Sequence, residues 1–236
     1  MTQQNKDSKI IKMKILGIDT TTKFLSLCAY DGAKVYEYNL EVGRNLSSLL
    51  VPTIKRIINA LNWNFAEIDY FACGLGPGSF TGTRVGLATI KGLAWPLKKP
   101  IIGISTLDIL AKGVKTNEKN IVPIIDAKRN LIYCSAYKNK NGELKQIMPY
   151  KLLNIDEFCK KIKDNSAILG DGLGIYKEKI LKSIKAVNIL DKEYWYPKGH
   201  DMIALAIQRI EHKKVSKAPD IKPIYLYPKE CQIKSV

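Results

Sequence analysis

The chain has 236 residues, 46% of them hydrophobic, enough to bury a sizeable core in one large domain or two small ones. A formal charge of +16 raises nucleic acid as a partner, yet Arg stands only at 44, 56, 84, 129 and 209 and the lysines are scattered singly and in pairs; Lys-rich codon bias accounts for that pattern better than a strong nucleic-acid site on this chain alone. Cys28, Cys73, Cys134, Cys159 and Cys231 form no CxxC pair, which argues against a disulfide framework or zinc site and fits a reducing cytoplasm, and no apolar run approaches the roughly 20 residues of a membrane span.

Residues 1–12 are polar, lack the apolar core of a signal peptide, and read as a disordered leader. Residues 13–19 are a short apolar strand ending in Asp19, followed by the hydroxyls of Thr20, Thr21 and Thr22. Residues 24–30 and 33–40 read as two more strands, joined by a tight Asp31-Gly32 turn. In isolation, Asp19 is a carboxylate that caps a strand end and hydrogen-bonds the following turn.

Residues 44–62 read as a helix that must kink or break at Pro52. Leu46, Leu50, Ile54, Ile57 and Leu61 form one face, and Leu49 and Ile58 widen it. A surface helix needs an apolar stripe of about 100°, so the excess points to a second contact with another domain or another chain.

The segment from Gly74 to Gly86 lies between a buried strand, 68–73, and a helix, 85–95. Gly76-Pro77-Gly78 is turn chemistry, and Ser79 or Thr81 suits the helix N-cap. Gly82, Gly86 and Gly92 each cost the helix about 0.5–1 kcal/mol against Ala. Two compensations exist: close approach of another backbone, or a phosphate resting on the first amides of the helix. Residues 100–104 complete a β-α-β unit, and Ser105-Thr106 caps a helix through 111.

After a polar linker, 113–120, the pattern restarts. Residues 121–126 form a strand ending in Asp126, followed by strands at 131–137 and 144–148 with an Asn141-Gly142 turn between them. This echo of strand, acid and hairpin is what a duplicated fold produces. A short helix at 155–162, a strand at 167–169, a Gly170-Asp171-Gly172 turn opening another helix, and a last helix at 201–212 complete the chain.

The run Gly76-Pro77-Gly78-Ser79-Phe80-Thr81-Gly82-Thr83-Arg84-Val85-Gly86, continuing to Ala94, resembles the signature of the TsaB (YeaZ) family of the actin-like ATPase-domain superfamily. Asp126-Ala127-Lys128-Arg129 resembles the family's Asp-Ala-Arg segment. Pro223-Ile224-Tyr225-Leu226 resembles its terminal Pro-x-Tyr-Leu-Arg, with Tyr227 in place of the Arg. The resemblance implies an α/β, actin-like (ribonuclease H-like) duplicated fold of two βββαβα-type halves. The expected divisions are 13–106 and 107–236, with the last helix and tail packing back on the first half.

The resemblance also implies a function: a non-catalytic, partner-activating subunit of the complex that places threonylcarbamoyl on adenosine beside the tRNA anticodon. The implied partners are the catalytic paralogue TsaD and the ATPase TsaE, with tRNA met through the complex and a homodimer when the partner is absent. Asp19, Thr20, Thr21 and Asp126 would be a vestigial nucleotide site, and ATP or ADP would sit at the complex interface. The family's His near the start of the first helix is missing at 45–48, and the paralogue's metal-binding His pair has no counterpart, since only His200 and His212 are present. Neither a metal nor a catalytic residue is therefore assigned, and Ser79 is not in a Gly-x-Ser-x-Gly nucleophile elbow.

For the partner interface, Leu46, Leu50, Ile54, Ile57 and Leu61 of the first helix are expected to meet the partner. Gly82, Val85, Gly86, Thr89 and Leu93 of the second would join them, the glycines permitting close approach. The alternative is a stand-alone ATPase or small-molecule kinase, favoured by Asp19 and Asp126 at two strand ends and disfavoured by the lack of a phosphate-clamping loop after Asp126.

Overall fold

The computed structural model describes residues 13–116, 118–140 and 143–228. The expected leader, the Asn141-Gly142 turn and Cys231 lie outside the described residues. The chain divides into two compact units, Met1–Ile109 with Pro197–Pro223, and Leu110–Tyr196 with Ile224–Val236. The cut thus falls three residues beyond the expected 106, and the first unit includes the returning segment Pro197–Pro223.

In the first unit, β1 (Ile15–Asp19), β2 (Phe24–Tyr30) and β3 (Val35–Glu41) form an antiparallel meander. β4 (Tyr70–Gly74) and β5 (Ile101–Ile104) then add in parallel, giving the order β3-β2-β1-β4-β5. Side chains alternate across a strand, and β1 follows the rule. Leu16 and Ile18 join the core beneath α1 (Leu46–Ala60) and α2 (Phe80–Ala94), while Ile15 packs on the opposite face with Met202, Ile203 and Ala206 of the last helix.

The second unit repeats the plan. β6 (Asn120–Asp126), β7 (Leu131–Lys140) and β8 (Glu143–Asn154) are antiparallel, and β9 (Ser166–Leu169) and β10 (Val187–Ile189) are parallel. Counted from the first strand of each unit, both sheets have the order 3-2-1-4-5. The duplication read from the sequence is therefore present in the topology. β8 runs six residues beyond the expected end at 148, and β10, too short to stand out, is an additional strand. One face of this sheet is covered by α4 (Ile155–Lys161) and α5 (Leu173–Ser183), through Phe158, Leu173, Tyr176 and Ile180.

The helix expected to kink or break at Pro52 runs through it without a break. Pro52 and Ser48, whose carbonyl loses its helical donor, both lie on the exposed side, open to solvent. Thr53 also donates its hydroxyl to the Leu49 carbonyl, at 2.6 Å.

The last helix, α6 (Gly199–Glu211), is tied to the first unit by a charge. Arg209 donates to the Gly103 carbonyl and, at 2.8 Å, to Asp108 Oδ2, on α3 (Thr106–Lys112). The Asp108 side chain is only 13% exposed, so removing its partner leaves a poorly solvated carboxylate. Arg209→Ala is expected to lower unfolding free energy by roughly 1–3 kcal/mol. In the Arg209→Ala, Asp108→Ala double variant, chemical denaturation should show a loss smaller than the sum of the single losses; additive losses would mean that the pair does not couple.

Candidate functional site

The register of the first sheet sets the site. β1 and β4 are parallel, with Ile18 opposite Cys73, so the next residues, Asp19 and Gly74, come side by side at the carboxyl ends of the strands. Asp19 is buried. Its Oδ1 accepts from the Thr21 amide at 2.9 Å and the Thr21 hydroxyl at 2.8 Å. The Thr21 hydroxyl in turn accepts from the Thr106 hydroxyl at 2.8 Å. Asp19 Oδ2 is buried and has no hydrogen-bond partner among the described residues. Burial outweighs the two bonds from Thr21 and pushes the carboxyl up to about 6.

The glycine-rich segment closes over this turn. Thr20 donates its hydroxyl to the Gly82 carbonyl at 2.7 Å, the Ser79 amide donates to the Thr21 carbonyl at 2.7 Å, and the Thr106 amide donates to the Gly76 carbonyl at 2.9 Å. Ser79 is the N-cap, its hydroxyl accepting from the Gly82 amide at 3.1 Å. A Cβ at Gly74 would strike the Asp19 carboxylate, at Gly78 the Thr21 carbonyl, at Gly82 the Thr20 carbonyl and at Gly86 the Thr20 hydroxyl. The close approach inferred from the glycines is thus made by the chain's own β1–β2 turn.

This corrects part of the expected interface. Gly82 and Gly86 are buried against Thr20 and are not available to a partner helix. Leu50 and Ile54, each 1% exposed, are core residues, and Leu46, Ile57 and Leu61 pack half-buried against the same core. Part of the apolar face of α1 is therefore consumed within the unit, because α1 must cover the sheet as well as abut α2, while Leu46, Ile57 and Leu61 stay half-exposed and Val51 is exposed. On α2, Val85, Thr89 and Leu93 remain half-exposed, and Ala88 and Gly92 are exposed.

The expected vestigial nucleotide site divides in the same way. Asp19, Thr20 and Thr21 stand together in the first unit, while Asp126 lies at the equivalent strand end of the second. Around Asp19, the hydroxyls of Thr20, Thr21 and Ser79 and the amides of Ser79 and Gly82 already have partners inside the protein. These residues do not fit an ATP or ADP phosphate.

In the second unit, Asp126 accepts from the Lys128 amide at 2.9 Å and pairs with the Lys128 ammonium at 2.5 Å. The Asp126 amide donates to Asp171 Oδ1 at 3.1 Å. Burial, and then the nearby Asp126 charge, push Asp171 up to about 6. Lys128, Arg129 and Asn130 all have left-handed backbone, with φ of 64, 53 and 59°. For Lys and Arg this conformation costs of order 1–2 kcal/mol each. Tyr227 steadies the turn, donating to the Ala127 carbonyl at 2.7 Å and meeting the Tyr133 ring edge-on. Sequence reasoning treated Thr106 as a helix cap and Asp171 as a turn residue and missed their tie to the two acids; the signal lay in their place after the fifth and fourth strands of the repeat.

A family profile described as TsaD, tRNA N6-adenosine threonylcarbamoyltransferase, matches residues 40–222. The chain is 30% identical to the tRNA threonylcarbamoyladenosine biosynthesis protein TsaB of Bacillus subtilis, over 71% of this chain and 75% of that protein. It is also 30% identical to the TsaB of Buchnera aphidicola subsp. Schizaphis graminum, over 80% and 90%. The chain belongs to the TsaB (YeaZ) family. Against TsaB of Escherichia coli identity is 27%, covering 91% of the chain and 94% of that protein. The solved structure of YeaZ from Pseudomonas aeruginosa has the same fold, with a TM-score of 0.78, 23% identity and coverage of 91% of this chain and 100% of that one. The TsaD profile agrees with this assignment in superfamily and pathway, while the full-length relatives above carry the TsaB name.

The glycine contacts predict a contrast. Gly82→Ala and Gly86→Ala should each destabilise by several kcal/mol, within the roughly 1–3 kcal/mol or more of overpacking. Adding Thr20→Ala should recover part of the Gly86→Ala loss, since the obstacle there is the Thr20 hydroxyl. It should recover none of the Gly82→Ala loss, where the obstacle is backbone. Gly92→Ala, which meets nothing within 4 Å, should stabilise by about 0.5–1 kcal/mol. Equal rescue of both tight glycines in denaturant titrations would contradict the packing described.

The raised Asp19 pKa gives a second test. The folded chain retains the Asp19 proton up to about pH 6, whereas the unfolded chain releases it near the ordinary value of 3.8. The cost of the ionised group is thus absent below that value and grows as pH rises to about 6. The stability of Asp19→Asn relative to wild type should therefore increase across this window in urea titrations. A difference that is flat with pH would mean that Asp19 is not desolvated.

Proposed function

We propose that this chain is the non-catalytic, partner-activating subunit of the complex that transfers threonylcarbamoyl to adenosine beside the tRNA anticodon. As a TsaB-family member it is a component of tRNA threonylcarbamoyladenosine biosynthesis. Its partners in this reading are the catalytic paralogue TsaD and the ATPase TsaE, with tRNA reached through the complex. The observation that carries the reading is the closure of the Asp19 turn. The groups that would clamp a phosphate are bound to one another, and the loop supplies packing in place of a reaction site.

The remaining exposed side of α2 suits a partner helix. Val85, Ala88, Thr89 and Gly92 are spaced as neighbours along one side, and their small side chains permit close approach. A homodimer through this side is the form expected when TsaD is absent, and any ATP or ADP belongs to the assembled complex. A second reading, a stand-alone ATPase, draws on Asp19 and Asp126 at equivalent strand ends.

Reconstitution decides between them. With TsaD, threonylcarbamoyl-adenylate and tRNA, modification should require this chain, and the chain alone should give none. Ala88→Glu places a charge on the exposed side of α2; it should melt like wild type and reduce modification by about tenfold or more through loss of the partner. Magnesium-dependent ATP turnover by the single chain, lost in Asp19→Ala, would instead favour the second reading.

A further inference from the structure

The two units share a strand order, and the turn after the first strand of each carries an acid, yet the two turns are built oppositely. In the first unit Thr20 and Thr21 are buried beneath the glycine-rich segment. In the second, Lys128, Arg129 and Asn130 are all exposed. The second turn is also held in a fixed shape. Asp126 binds the Lys128 amide and ammonium, the Ala127 amide donates to the Leu131 carbonyl, the Leu131 amide donates to the Lys128 carbonyl, and Tyr227 donates to the Ala127 carbonyl.

The residue types are the informative part. Three successive left-handed positions would cost least as glycine or asparagine. This chain instead has a lysine and an arginine at the first two. The Lys128 side chain is 81% exposed although its ammonium is paired with Asp126, and the Arg129 side chain makes no hydrogen bond or ion pair among the described residues. A strained turn that keeps two cations exposed, anchored by these five contacts, is suited to a preorganised anion contact.

We propose that the Lys128–Arg129–Asn130 turn contacts the phosphodiester backbone of RNA. The inference rests on the proposed role in tRNA modification, which supplies the polyanion, and on the formal charge of +16, which draws an RNA toward the chain at long range. Asn130 adds an amide that can donate to a phosphate oxygen beside the guanidinium.

The test uses Arg129→Gly in the full chain, leaving the Lys128–Asp126 pair intact. Glycine relieves the left-handed strain, so the melting temperature should hold or rise. Binding to unmodified tRNA, followed by fluorescence anisotropy between about 50 and 200 mM salt, should weaken about threefold to tenfold, with the slope of log K against log salt reduced by about 0.9. Lys160→Ala, an exposed cation on α4, serves as the charge-matched control and should change affinity less than about twofold. Equal losses in the two variants, or no tRNA binding by wild type at the lower salt, would overturn the proposal. So would displacement of tRNA by ATP that depends on Arg129, which would make the turn a nucleotide contact. The reconstituted modification assay separates this inference from the reading beneath it. If modification needs the chain but Arg129→Gly binds tRNA as wild type does, only the RNA contact fails; if the chain is dispensable, the proposed function itself fails.

Discussion

The first unit depends on one contact: the Thr20–Thr21 turn pressed into the glycine-rich segment. Four glycines are required there because the turn's carbonyls, its hydroxyl and the Asp19 carboxylate occupy the space where their side chains would stand. The contact joins the end of β1, the end of β4, the start of α2 and, through Thr106, the start of α3. Gly82 and Gly86 weaken the α2 helix on their own account. The arrangement is stable because the turn's polar groups, buried with Asp19, are nearly all satisfied by the segment that covers them. The exception is Asp19 Oδ2, and its cost appears as a raised pKa rather than as a missing structure.

Much of this was legible in the sequence, for reasons that differ by residue. The strand ending in Asp19, the Ser79 cap and the repeat of strand, acid and hairpin at 121–137 are local signals, set by apolar run length and turn chemistry. The family motif around Gly76–Gly86 brought the fold with it. What the sequence could not disclose was the direction of the contacts. Leu50 and Ile54 lie on a wide apolar face, and periodicity alone cannot say whether the sheet behind or a partner in front covers it; here the sheet does. Gly82 and Gly86, four residues apart, look like a helix-crossing stripe, yet their neighbour is Thr20, more than 60 residues away in the chain. β10 escaped notice because three residues of mixed polarity carry no period.

Duplication makes the two units controls for one another. The same order of strands, with the same pattern of antiparallel and parallel pairing, places Asp19 and Asp126 at matching ends. The neighbours then diverge. Asp19 is surrounded by hydroxyls and glycine, and has no cation within the described hydrogen bonds and ion pairs. Asp126 has Lys128 as its counter-charge and Asp171 behind its amide. An acid already paired to a lysine spends its charge on holding a turn. Both environments use the strand-end carboxylate for architecture.

That shared use bears on what kind of protein this is. An enzyme on a duplicated α/β fold commonly leaves polar groups at its strand ends unsatisfied until substrate arrives, because those groups must exchange partners during reaction. In the first unit the exchange has already happened internally: threonine hydroxyls, the cap serine and the glycine carbonyls are bonded to each other. Opening them to a ligand would expose buried hydroxyls and leave the glycine segment with voids that only the turn can fill. The exposed chemistry lies elsewhere, on the small-residue side of α2 and on the cationic turn at 128–130. The closed Asp19 turn, the half-exposed side of α2 and the exposed cationic turn are the features on which the proposed role as a bound subunit rests, and that proposal draws on where the hydrogen bonds are used rather than on any residue the chain lacks.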